Sequence, residues 1–301
     1  MAYWNAFYTP KTIEEAVGIL SRYDGRACMI GGGTDLLLEI QQGHRPKMDA
    51  LVDPSRIEEL SVITEEDGYI VIGAGVTHSR IVQDDRIAQH GTCLVESCGV
   101  IGGPQVRNVA TLAGNIAHAL PAGDGTIGTL ALDGEVQVAR ADGMEWAPME
   151  DTFLGPGKST VDSKRMMITR IRFKPTGDGE GSAFRRVMRP QGIALPMIGM
   201  AARVKLAGDV IESARIAIGP ASTIPFLARK TMAYLVGQTP SAHTWQCAAE
   251  TALEEVVLRD SPHRSSSAYR REMILTQLPR TLDKATERAR TGQATPEGVG
   301  A

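Results

Sequence analysis

The sequence predicts an α+β protein of two domains, and three observations carry that expectation. Strand-length apolar runs in the first half end in glycine-rich loops, at residues 27–33 and 69–75. In the second half, three strand-like runs come first and three helical runs follow, the order expected of an α+β domain. Between the halves stands "KPTGDGEG", residues 174–181, the clearest composition break in the chain.

Taken in order, Thr9-Pro10 leads into Ile13, Ala16, Val17 and Leu20 at helical spacing, with Thr12 placed to cap and Glu14 and Glu15 in the first turn. Residues 27–30 read as a short strand that stops at three glycines, after which residues 36–40 resume an apolar pattern as a helical turn. Residues 50–53 and 69–75 read as further strands, the second opening on Gly73 and Gly75. Helical spacing returns over 81–98. Residues 99–128, rich in Gly, Asn, Thr and Pro, then read as a long loop. Val106, Val109, Leu112 and Ile116 argue against disorder there, and long ordered loops inside compact domains are usually functional. Strands are expected at 134–140 and 168–173, joined by a segment whose Asp142-Gly143 suits a hairpin turn. The first domain therefore spans 1–177. The second, 182–290, is read as strands at 182–188, 198–206 and 213–218, then helices at 228–236, 244–257 and 268–290. The tail, 291–301, reads as disordered.

Composition removes several function classes. With 43% hydrophobic and 22% charged residues, the 301-residue chain reads as a soluble protein able to bury a sizeable core. A net charge of -3, with both signs mixed along the chain, leaves no electrostatic footprint for nucleic acid or an anionic membrane. No apolar run is long enough to span a bilayer and the N-terminus lacks a leader pattern, so a cytoplasmic protein is expected. Cys28, Cys93, Cys98 and Cys247 are scattered, without a CxxC pair or a nearby histidine partner; neither zinc nor an iron–sulfur cluster is encoded.

Two stretches carry the chemistry. In "MIGGGTDLLLE", residues 29–39, a glycine triplet follows a strand. Alone it favours a tight turn, and it fits neither a P-loop nor the G-x-G-x-x-G of a Rossmann unit. In "GGPQVRNVATLAGN", residues 102–115, and the following "PAGD", Thr111 offers a hydroxyl, Gly114 bare backbone and Asn115 an amide, able together to donate to a phosphate. Asp124 supplies an acceptor suited to a sugar hydroxyl. The alternative is a structural loop whose polar side chains cap their own backbone. Two such loops in one domain favour a diphosphate held between two subdomains.

"IGGGTDLL" and "VIGGPQVRNVATLAGNIAHALPAGD" closely resemble the two FAD-binding loops of the flavin subunit, or medium chain, of molybdenum hydroxylases of the xanthine dehydrogenase and carbon monoxide dehydrogenase type. The resemblance extends over nearly the whole chain, through "LGPGKS", "ALPMIGMAARVKL", "ARIAIGPAS" and "SSSAYRREM". It implies a vanillyl-alcohol oxidase (PCMH) type FAD-binding domain of two α/β subdomains, about 1–58 and 59–177. A C-terminal domain of three-stranded antiparallel sheet plus helical bundle would follow. Carried over residue by residue, Ile30 to Leu36 would wrap the FAD pyrophosphate. Main-chain N–H groups of Gly31, Gly32 and Gly33 and the Thr34 hydroxyl would donate, with Asp35 stabilising the loop rather than facing phosphate. Thr111, Leu112, Ala113, Gly114 and Asn115 would form the opposite cradle, and Asp124 would accept from the adenosine ribose. Ile101 falls where the family places an apolar or aromatic side chain near the isoalloxazine ring, and Ile168 where an aliphatic contacts the adenine side.

The sequence departs from the family twice. Ala113 stands where many relatives have glycine, adding a methyl group, and Arg185 and Arg186 stand where many carry a lysine near the flavin edge. Either guanidinium would favour an anionic reduced ring. The resemblance implies an FAD-carrying electron-transfer subunit that accepts electrons from a small subunit with two 2Fe-2S clusters. A large molybdopterin-binding subunit would reduce those clusters, in a dimer of heterotrimers. The final acceptor would be NAD, quinone or oxygen, and no residue of this chain would act as a catalytic acid or base or bind a metal. One rival is a self-sufficient flavin-dependent oxidoreductase of the same fold; against it, neither glycine loop holds a histidine or cysteine suited to covalent flavin attachment, His118 being the closest candidate. The other rival is a scaffold without nucleotide.

Overall fold

The computed structural model describes residues 3–189, 195–262 and 264–299. Residues 190–192 of "SAFRRVMRPQG", residue 194 of "ALPMIGMAARVKL" and residues 300–301 of the expected tail lie outside them.

The chain opens with a three-stranded parallel sheet in the order Trp4–Tyr8, Met48–Val52, Ala27–Met29. The helix Ile13–Tyr23 covers one face. Thr12 caps it by accepting from the Glu15 N–H, and Ile13, Ala16, Val17 and Leu20 pack onto Ala27, Ala50 and Val52 as their spacing predicts. The edge strand Trp4–Tyr8 answers no reading of the sequence.

A five-stranded antiparallel sheet follows, ordered Ile63–Glu66, Tyr69–Gly73, Met167–Phe173, Glu135–Arg140, Gly143–Pro148. The expected pair of strands is present, and the Asp142-Gly143 turn adds a third strand beyond them, Gly143–Pro148. Two expectations on this part of the chain are corrected. The helix read over 81–98 is three helices, His78–Val82, Asp85–His90 and Thr92–Gly99. Asp84 stops the first by capping the second, and Gly91, where a Cβ would lie 2.8 Å from the Phe173 ring, starts the third. The long loop at 99–128 contains the helices Pro104–Arg107, Leu112–Ala117 and Asp124–Ala131, too short for periodicity to reveal.

In the C-terminal half, Glu180–Met188, Pro196–Ala207 and Val210–Gly219 form the expected antiparallel sheet, extended at its far edge by the two-residue strand Phe226–Leu227. The helices Arg229–Leu235, Ala242–Glu255 and Ser267–Thr291 pack on it around Ile216, Trp245, Ile274, Leu278 and Leu282. The opposite face, through Phe184, Ala201 and Ala217, joins the core of the five-stranded sheet and its helices. One apolar interior thus fixes the two halves against each other. The tail expected to be disordered is placed against the rest of the chain through residue 299: the Glu297 N–H donates to buried Glu96, and Val299 packs at Gly99.

Candidate functional site

The first glycine loop gets its shape from the strand before it and the loop beside it. The Ile30 N–H donates to the Val52 carbonyl, which ends the sheet, and Gly33 then takes a φ of +68°, a left-handed conformation that glycine adopts without steric cost. A Cβ on Gly32 would overlap the Val109 carbonyl and lie 2.7 Å from the Ala110 Cα, and one on Gly31 would lie 3.2 Å from Thr111 Oγ1. The two glycine-bearing stretches, about eighty residues apart in sequence, are therefore in contact. Among the described residues, no acceptor takes the N–H groups of Gly31, Gly32 or Gly33.

They border one cavity of about 490 Å³ that runs between the small parallel-sheet lobe, the larger lobe and the C-terminal domain. Of the residues singled out in the sequence, Ile30 to Leu36, Ile101, Thr111, Ala113, Gly114, Asn115, Asp124, Ile168 and Arg186 all line it. Leu112 does not: it is wholly buried in the core. Arg185 does not either, because successive residues of a strand face opposite ways; Arg185 turns to Glu297, 3.3 Å away, and Arg186 to the cavity.

The second loop combines the two readings the sequence left open. Thr111 caps the helix Leu112–Ala117 by accepting from the Gly114 N–H, and the Asn115 N–H donates to the Thr111 carbonyl, so these two backbone donors are used internally. Asn115 Oδ1 accepts from both the N–H and the hydroxyl of Thr126. The Thr111 hydroxyl proton and the Asn115 amide NH2 are the donors this leaves for a ligand. Asp35 is exposed and makes no capping hydrogen bond, so the expected bracing by its side chain is absent among the described residues.

Asp124 begins the helix Asp124–Ala131 and meets Arg186 of the neighbouring domain, Oδ2 to Nη1 at 2.7 Å. Both side chains are almost fully buried. Burial pushes the Asp124 carboxyl up to about 6 against the opposing pull of Arg186. Its Oδ1 and the Nε of Arg186 are buried without a partner among the described residues. The contact brings together two residues that the resemblance placed apart, Asp124 at the adenosine ribose and an arginine at the flavin edge.

Further wall residues escaped the sequence reading. His78 is buried with Nδ1 3.3 Å from Cys98 Sγ, and burial pushes its pKa down to about 4, so it is neutral. His118, considered above only for covalent attachment, sits 3.5 Å from Glu39, which also binds Arg45 at 2.5 Å. Arg264 stands one residue before "SSSAYRREM", so the resembling motif stopped just short of it. Single polar side chains give no periodic signal, and the fold alone brings these to the cavity.

The unshared glycine N–H groups, the close contact that excludes a Cβ at Gly32, and the orphaned acceptor on Asp124 fit an extended ligand with phosphates and hydroxyls. Comparison with known proteins gives the same answer. Residues 3–175 match the family described as FAD binding domain in molybdopterin dehydrogenase, and residues 182–285 the CO dehydrogenase flavoprotein C-terminal domain. The chain belongs to this family of FAD-binding flavoproteins. It is 31% identical to the nicotinate dehydrogenase FAD-subunit of Eubacterium barkeri, over 89% of this chain and 91% of the relative. It is 26% identical to the xanthine dehydrogenase FAD-binding subunit of Escherichia coli O157:H7, over 94% and 97%. Among solved structures it is similar to carbon monoxide dehydrogenase from Hydrogenophaga pseudoflava in a form lacking the Mo-pyranopterin moiety, with a TM-score of 0.89 at 25% identity, covering 94% of this chain and 97% of that one. The two glycine loops, Asp124 and Arg186 together wall the cavity.

Proposed function

We propose that this flavoprotein is the electron-transfer subunit of a heteromeric molybdenum hydroxylase in the cytoplasm. It accepts electrons from a small 2Fe-2S subunit, which a large molybdopterin-binding subunit reduces, and passes them to an external acceptor such as NAD, quinone or oxygen. The assembly is a dimer of heterotrimers. The observation that carries this reading is the cavity itself: two glycine loops in van der Waals contact, with unshared backbone N–H groups on one side and a buried aspartate–arginine pair on the other. Family membership and near-full coverage of relatives named as FAD subunits support it.

When bound, FAD supplies a ring that takes up and releases one or two electrons. The N–H groups of Gly31 to Gly33 and the hydroxyls of Thr34 and Thr111 would hold its pyrophosphate, and the Asn115 amide would donate from the second loop. The C-terminal domain contributes Arg186, Leu195, Pro196 and Arg264 to the cavity, and of these Arg186 bonds Asp124 and the Arg264 charge acts on it. We therefore assign Asp124 with Arg186 to the ring end, in place of the adenosine ribose. Arg186 stabilises negative charge there, and Asp124 accepts a hydrogen bond through Oδ1. Ile101 shields the same end from water, and Ile168 packs toward adenine.

No helix among the described residues is long and apolar enough to cross a membrane, and the described residues hold no cluster of metal-binding side chains. Purification of the chain alone tests the cofactor: a yellow protein with flavin absorbance is expected, and a colourless protein that takes up no added FAD would refute the reading. Co-purification from the native host tests the assembly. A molybdopterin subunit and a 2Fe-2S subunit are expected partners, whereas turnover of an organic substrate by the isolated chain would favour a self-sufficient oxidoreductase.

A further inference from the structure

We infer that the C-terminal segment 293–299 is a strap that positions the cavity wall carrying Arg186 and Ile101. The inference rests on the reading of that cavity as the FAD site. It concerns residues beyond the family match, which ends at residue 285.

The long helix Ser267–Thr291 stops at Gly292, whose φ of +68° and N–H bond to the Arg288 carbonyl turn the chain back on itself. The returning segment then makes a series of contacts. The Thr295 carbonyl accepts from Arg288 Nη2 at 2.6 Å. The Glu297 N–H donates to Glu96 Oε1 at 2.8 Å, while its carboxylate meets Lys284 at 2.8 Å and Arg185 at 3.3 Å. Val299 rests against Gly99, where a Cβ would come within 2.9 Å of Val299 Cγ1. Two of these contacts fall beside cavity residues: Arg185 precedes Arg186, and Gly99 lies two residues before Ile101.

Glu96 is the hub. It is 2% exposed, and its oxygens accept from three donors in three places: the Phe184 N–H at 2.7 Å, Arg288 Nη2 at 2.6 Å, and the Glu297 N–H. Phe184 belongs to the edge strand Glu180–Met188, whose outer N–H would otherwise be unpaired, and Arg186 lies two residues further along that strand. A buried carboxylate needs every one of its donors, because no water replaces a missing one. The strap supplies one donor and, through the Thr295 carbonyl, accepts from a second, Arg288. Its removal loosens Glu96, and through Phe184 it loosens the strand that holds Arg186 to Asp124. Glu96 and Glu297 are therefore positioning residues.

The test uses the full chain with single substitutions, read by FAD titration, the visible flavin spectrum and thermal unfolding. Glu297→Pro, which removes the donor to Glu96, and Val299→Asp, which expels the side chain from Gly99, are expected to weaken FAD binding about tenfold and to alter the shape of the flavin bands. Glu297→Gln keeps the backbone N–H and is expected to stay within about threefold of the parent. Val299→Ala serves in place of Val299→Asp if the latter fails to fold. Parental FAD affinity and parental spectra in Glu297→Pro and the Val299 variant, whatever their melting temperatures, would overturn the strap. A parent chain that takes up no FAD fails the cofactor reading instead.

Discussion

Arg186 Nη1 lies 2.7 Å from Asp124 Oδ2, an ion pair that joins the C-terminal domain to the FAD-binding domain at the cavity wall. Its burial makes it sensitive to pH. Burial is the larger influence on Asp124 and raises its pKa from 3.8 to about 6, while Arg186 pulls the other way. The folded chain therefore holds this proton more tightly than the unfolded chain does. The resulting stabilisation is complete below about pH 4 and is lost as pH rises through about 6. Relative to Asp124→Asn, the FAD-free parent is expected to lose on the order of 2–3 kcal/mol across that window. Urea unfolding of both proteins at several pH values checks this, and a flat difference would show that Asp124 stays ionised throughout.

Gly32 has no room for a side chain, since a Cβ would overlap the Val109 carbonyl and crowd the Ala110 Cα. Both neighbours are backbone, so neither moves without parting the two loops. Gly32→Ala is expected to cost about 1–3 kcal/mol and to lose FAD during gel filtration. Gly18→Ala, with nothing within 4 Å of its Cβ, is the control and should retain the cofactor. Absorbance of the eluted protein and its thermal unfolding decide the matter.

Thr111 both caps the helix Leu112–Ala117 and faces the cavity. Its Oγ1 accepts from the Gly114 N–H at 3.1 Å while it lines the cavity. Thr111→Ala is expected to reduce stability by about 1 kcal/mol without FAD, the usual cost of a lost cap, and to weaken FAD binding in addition. Thr111→Ser keeps the hydroxyl and should restore most of both. Equal FAD affinity in all three proteins would confine Thr111 to its capping role.

Glu96 and Arg288 form an ion pair at 2.6 Å with side chains 3% and 2% exposed. Removing one partner leaves the other charge buried and unpaired, so Arg288→Ala is expected to destabilise by about 3–5 kcal/mol. The double change Glu96→Met with Arg288→Met should recover only part of that loss: no buried charge is left unpaired, but the Phe184 and Glu297 N–H groups lose their acceptor. Denaturant midpoints of the single and double variants give the coupling directly.

Legibility followed the range of the signals. The helix Ile13–Tyr23 and the three long C-terminal strands were readable because alternation and helical spacing are local properties of five to ten residues. The helices within residues 99–128 are not legible in the sequence because they span four to eight residues and start from glycine, threonine and proline, which also make turns. The tail's contacts are illegible for a related reason: "GQATPEGVG" has the composition of a free end, and nothing local announces that Glu96, two hundred residues earlier, accepts from the Glu297 N–H.

By itself the sequence determined the α+β class, the two glycine loops and, through their resemblance, the FAD-binding family to which the chain belongs. These depend on residue type and spacing, which a chain carries whether or not it is folded. The tertiary structure alone decided that Gly32 and Ala110 touch, that Arg186 and not Arg185 faces the cavity, that Leu112 is core, and that Asp124 shares its end of the cavity with Arg186. Such facts depend on strand facing and on contacts between distant segments. Packing sets both, and no window of the sequence contains both partners.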